Sequence, residues 1–79
     1  MDFDKITETL LKNGYSEHFV DGQRFLKSRD ERVIIAEHIK EFTIYVFRYG
    51  KLFCARNFDN LEKANIFLEG WGFKKIKLD

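Results

Sequence analysis

The stretch Tyr45-Val46-Phe47-Arg48-Tyr49-Gly50-Lys51-Leu52-Phe53-Cys54-Ala55-Arg56-Asn57-Phe58-Asp59 constrains the chain most. Two alternating runs meet at a glycine, and the second runs straight into helix-capping residues, so a hairpin must feed a helix directly. Gly50 takes a positive φ without steric cost. Placed first in a two-residue turn, Gly50-Lys51, it sets Tyr49 opposite Leu52. Counting back, Phe47 then falls opposite Cys54, Tyr45 opposite Arg56 and Thr43 opposite Phe58, all on one face. The other face carries Ile44, Val46, Phe53 and Ala55, a smoother set suited to packing under helices.

The remaining elements follow from periodicity. Phe3, Ile6, Leu10 and Leu11 recur at helical spacing, with Asp2 or Asp4 as cap and Gly14 as stop; Tyr15 closes back on Leu10. Residues 16–22 read as a polar connection anchored by Phe19 and Val20. Residues 23–28 and 32–38 read as strands joined across Arg29-Asp30-Glu31, and Lys40-Glu41 forms the next turn. Val33 to Ala36 and Ile44 to Phe47 are apolar on both faces, which places these strands inside a sheet. After the hairpin, Asp59 caps a second helix with Glu62 three positions on, and Leu61, Ala64, Leu68 and Trp71 form its stripe. Gly70 and Gly72 end it, and the Lys-alternating tail Phe73 to Leu78 reads as a guarded edge strand. The expected fold is a single α+β domain over residues 1–79: an antiparallel sheet of four to five strands with two helices, in the order α-β-β-β-β-α-β.

Seventy-nine residues without proline leave room for one core. Such a domain buries only roughly 60% of its unfolded surface. Nine Phe, three Tyr and one Trp help it gather enough apolar area. The single cysteine, Cys54, forms no internal disulfide, and no apolar leader or run of membrane-spanning length occurs, so the expected compartment is the cytoplasm. Fourteen basic against thirteen acidic residues give a net charge of +1, too little bias for a dedicated nucleic-acid binder. His18 and His38 lie in different elements, and no second cysteine completes a metal-ligand pattern, so neither metal nor cofactor is expected. No phosphate-loop, zinc-protease or nucleophile-elbow motif is present. His38 with Glu37 and Glu41, or Asp30 with Glu31, could be arranged as an acid–base pair, and a small hydrolase or nuclease would be built around His38 and Glu37. The expectation is a protein that is not an enzyme.

The aromatic face is where function is expected. Two helices cannot cover both sides of a sheet this size, so Tyr45, Phe47, Tyr49 and Arg56, with Lys51 at the turn, are the candidate contacts for a protein partner. Three alternatives stay open. The same rings could stack single-stranded nucleic acid while Arg56, Lys51 and Lys74-Lys75-Lys77 reach phosphates. The first helix could cover the rings and make them core. A second copy of the chain could sheathe them.

Gly50-Lys51, then Ala55-Arg56-Asn57-Phe58-Asp59, then Glu62, Phe67 and Gly70 resemble, at similar spacing, the hairpin-to-helix segment of a small phage type I-F anti-CRISPR protein, over about a quarter of the chain. The resemblance implies a stoichiometric inhibitor of phage or mobile-element origin. Such a protein would lay a tyrosine-bearing sheet face, with Tyr45 and Tyr49, on a subunit of a host CRISPR surveillance complex and block target DNA.

Overall fold

Asp2 opens the first helix: its carboxylate accepts from the backbone N–H groups of Asp4 and Lys5, which the helix itself leaves without partners. The computed structural model describes residues 1–78, and in it this helix, α1, spans Phe3–Lys12. Gly14, at φ 87°, turns the chain out, and the Tyr15 N–H closes on the Leu10 carbonyl at 3.0 Å. Five strands follow: β1 (Ser16–Val20), β2 (Gln23–Lys27), β3 (Val33–Glu37), β4 (Phe42–Arg48) and β5 (Lys51–Phe58). Helix α2 (Leu61–Gly70) comes last. Each strand pairs antiparallel with its sequence neighbours, giving a meander in the order β1-β2-β3-β4-β5.

The α+β architecture agrees with the sequence, with two changes in element order. Residues 16–20 form a strand where a connection was expected. All five are exposed on this edge, so no buried face gives them an alternating pattern. Asp21 and Gly22, both at positive φ, make the two-residue turn into β2. The tail Phe73 to Leu78, expected as a strand, carries none. Its backbone is held by side chains. The Asn65 amide donates to the Ile76 carbonyl at 2.9 Å and accepts from the Ile76 N–H at 2.8 Å. Asn13 brackets Lys77 in the same way, at 3.0 and 2.8 Å. Each asparagine imitates a neighbouring strand, which satisfies the extended backbone without a sheet. Ile76 is thereby seated in the core at 2% exposure.

That core lies on one side of the sheet. Leu26, Ile35 and Ile44 stand in one row across β2, β3 and β4, with Val33 opposite Val46 beside them. These meet Phe3 and Leu10 of α1, Ala64 and Leu68 of α2, and Ile76. Phe58 leans on Phe42 and Phe67 and ties the end of β5 to α2. Arg24 clasps α1 to the sheet edge. It reaches Asp4 at 2.7 Å, Glu37 at 3.2 Å and Glu17 at 3.5 Å, with its guanidinium over the Phe3 ring. The hydrogen bond to Asp4, and then the one to Glu37, hold that guanidinium still more firmly in its charged form, against the opposing effect of burial.

The second helix starts one residue later than the capping pattern indicates. Asn60 is the cap, accepting from the Lys63 N–H at 2.9 Å, while the Asp59 carboxylate pairs with the Lys63 ammonium at 3.2 Å. Either residue type can cap. Asn60 has the extended backbone that a cap requires.

Candidate binding face

The hairpin between β4 and β5 decides which residues share a face. Its turn is Tyr49-Gly50, both at positive φ, with Arg48 opposite Lys51. Phe47 pairs with Leu52, but Val46 already pairs with Cys54, so Phe53 has no partner and forms a bulge. Moving the turn by one residue shifts the pairing by two and keeps every face. The bulge shifts it by one and exchanges the faces of β5 from Cys54 onward.

Four placements are corrected as a result. Phe58, expected opposite Thr43, stands opposite Phe42 on the helix side. Arg56 stands opposite Ile44 on the helix side, its guanidinium over Phe67. Cys54 stands opposite Val46 and packs against the core, and Ala55 moves to the uncovered side, opposite Tyr45. Phe53 stays on the helix side, edge-on to Trp71. Lys51 pairs with Arg48, whose guanidinium lies over Phe53 and Trp71, so it too shares the helix side. Tyr49 sits at the hairpin tip, 97% exposed. Of the five candidate contacts, Tyr45 and Phe47 remain on the uncovered face.

Residues that the sequence reading missed complete that face. One row across the sheet is Ser16, Lys27, Ile34, Tyr45 and Ala55; the next is His18, Phe25, Ala36, Thr43 and Asn57. The His18 and Phe25 rings stack at 5.6 Å, with the imidazole Nε2 2.9 Å from the Ser16 hydroxyl. At the opposite edge Thr43 donates to Asn57 at 2.7 Å, and Asn57 donates to Glu41 at 3.2 Å. The face is therefore apolar and aromatic through its centre, from Phe25 and Ile34 to Tyr45 and Phe47, with hydrogen-bonded polar groups along both edges. Lys27 is the one charged side chain among its strand positions. Both helices and the described part of the tail lie on the other side, so nothing in the described chain covers it. Phe25, Ile34, Tyr45 and Phe47 are half-buried by their neighbours in the sheet alone.

The other chemistry considered from sequence is not assembled. Glu37 gives its carboxylate to Arg24, and no side-chain hydrogen bond joins it to the exposed His38. Among the described residues no group of three potential metal ligands gathers. Among the described residues no helix is long and apolar enough to cross a membrane. The chain matches no protein-family model, and no curated protein or solved structure shows detectable similarity to it.

Proposed function

We propose that the protein is a non-enzymatic binding module that docks a partner protein on its uncovered sheet face, with Phe25, Ile34, Tyr45 and Phe47 at the centre of the contact. The observation that carries this reading is the composition of the face. In a chain that is 34% charged, the strand positions of an entire sheet face keep a single charge, Lys27, beside the large rings of Phe25, Tyr45 and Phe47. Charge depletion with aromatic enrichment marks the desolvated centre of a protein interface. Water gains nothing from such a surface, whereas a complementary partner recovers its apolar area. The partner fitting it presents an apolar ridge with a carboxylate placed for Lys27.

The nucleic-acid reading loses geometric support. It needs the rings and the tail lysines on one surface, and the tail runs on the helix side, with Ile76 in that core. The narrower reading, an inhibitor that occludes a CRISPR surveillance complex, follows from the resemblance of the Gly50–Gly70 segment. Its contact residues would be Tyr45 and, from the hairpin tip, Tyr49.

Capture from nuclease-treated host extract tests the module. Threonine at Phe25 and Tyr45 keeps strand propensity while removing both rings. Wild type should retain a stoichiometric protein partner, the Phe25→Thr/Tyr45→Thr variant should lose it, and Arg56→Gln/Lys51→Gln should keep it. Retention by the threonine variant, verified as folded by circular dichroism, would remove the face from the reading. Dissociation of a self-assembled dimer by the same variant would instead make a second copy the occupant. For the narrower reading, a reconstituted type I-F complex should lose target-DNA binding when the wild type is added and keep it with the variant.

A further inference from the structure

On the helix side, a cleft of about 690 Å3 opens between the end of α1, the β2–β3 turn and the residues after α2. Its lining is strongly cationic, although the whole chain is nearly neutral. Among the described residues the one carboxylate in it, Asp30, is already committed. It accepts from the Arg32 guanidinium at 2.9 Å, the Arg32 N–H at 3.0 Å and the Ser28 hydroxyl at 2.8 Å. Burial pulls the Asp30 carboxyl upward, but those three donors outweigh it and hold the group below the usual carboxylate range. Asp30 and Arg32 thus cancel. Arg29, Lys74 and Lys77 also line the cleft, and no carboxylate among the described residues pairs with any of them.

Two features separate this cluster from ordinary solvated surface charge. Arg29 is seated: its guanidinium lies against Gly14, where an added Cβ would come within 2.9 Å of a terminal nitrogen. Glycine at this position is what lets the planar fork lie down on the backbone. Nor does the negative end of α1 account for the charges. A helix terminus carries about half a unit charge, and its last carbonyls are taken by the N–H groups of Asn13, Gly14 and Tyr15. Three like charges around one concavity raise the free energy of the empty protein, and a multivalent anion relieves it. Tyr15 lines the same cleft, and burial, followed by repulsion from Asp30, keeps its phenol protonated to about 12. The wall therefore adds a neutral donor.

We propose that this cleft binds a small polyphosphate-bearing ligand, with the Arg29 fork on one phosphate and Lys74 and Lys77 on its neighbours. The geometry of guanidinium to phosphate is bidentate, and lysines act as point charges beside it. A volume near 690 Å3 suits a ligand of nucleotide size. This site lies on the opposite side of the sheet from the aromatic face, and the two stand or fall separately.

Titration of the full chain with inorganic pyrophosphate, followed by amide NMR, tests it. Saturable shifts should centre on Gly14, Gly72 and Lys74 and leave Phe25, Tyr45 and Phe47 unmoved. Arg29→Gln/Lys77→Gln should weaken binding at least about tenfold. Lys5→Gln/Lys40→Gln, which removes the same charge from other surfaces, should leave it unchanged, and Arg29→Lys should recover only part. Absence of saturable shifts at millimolar pyrophosphate would overturn the proposal, as would equal weakening by the control pair. An oligodeoxythymidine strand that uses these residues while pyrophosphate does not would replace it with a nucleic-acid contact.

Discussion

Thr7 shows how a single polar group can sit wrongly for stability. It lies on the buried face of α1 at 4% exposure, and its hydroxyl has no partner among the described residues. Thr7→Val removes the orphaned donor with almost no change of shape, so denaturant unfolding should show a gain of about 1 kcal/mol. A loss of stability would mean the hydroxyl is satisfied in solution. Tyr15 gives a signal at high pH. Its folded pKa of about 12 lies above the ordinary phenol value of about 10. Between these values the unfolded chain releases a proton that the folded chain keeps, so this contribution is complete below pH 10 and is lost as the pH rises toward 12. Absorbance titration should show a phenolate transition near 12 that Tyr15→Phe abolishes. Persistence of that transition in the variant would assign it to another ring.

At the scale of elements, legibility in the sequence followed burial. The first helix, strands β3 and β4 and the second helix each have a face in the core; the helices showed their period in the sequence, and the two strands showed as runs apolar on both faces. Strand β1 is exposed along its whole length, so nothing required it to alternate. The tail misled for the opposite reason. Ile76 does point inward between outward lysines, as in a strand, but its backbone hydrogen bonds go to Asn65, 11 positions away, and those of Lys77 go to Asn13, 64 positions away. A one-dimensional pattern records which side chains are buried and not which groups pair the backbone. The prediction at this scale is that Asn65→Ala, which strands two buried backbone groups of Ile76, costs about 2–4 kcal/mol. Urea unfolding reads it, and a cost below about 1 kcal/mol would mean water replaces the amide. The candidate site was half legible. Tyr45 and Phe47 were found because they alternate with Val46 and Arg48 before the turn, while Arg56 was misplaced by the bulge at Phe53, and Phe25 was passed over because β1, which carries its stacking partner His18, was read as a connection.

For the molecule as a whole, a one-sided core is the organising fact. Two helices and a side-chain-pinned tail bury one surface of a five-stranded meander and leave the other bare. The bare surface carries the rings, and the covered side carries the cationic cleft at its margin. The claim that matters most is that the bare face is free in the isolated protein and occupied in its complex. Solvent paramagnetic relaxation by a neutral gadolinium chelate measures this directly, ring by ring, before and after addition of the captured partner. The account predicts strong relaxation of the Phe25, Tyr45 and Phe47 ring protons in the free protein, lost on complex formation, with the exposed Ile66 on α2 unchanged. Rings that are shielded when the protein is a free monomer, or a complex that shields Ile66 and leaves Tyr45 relaxed, would contradict it.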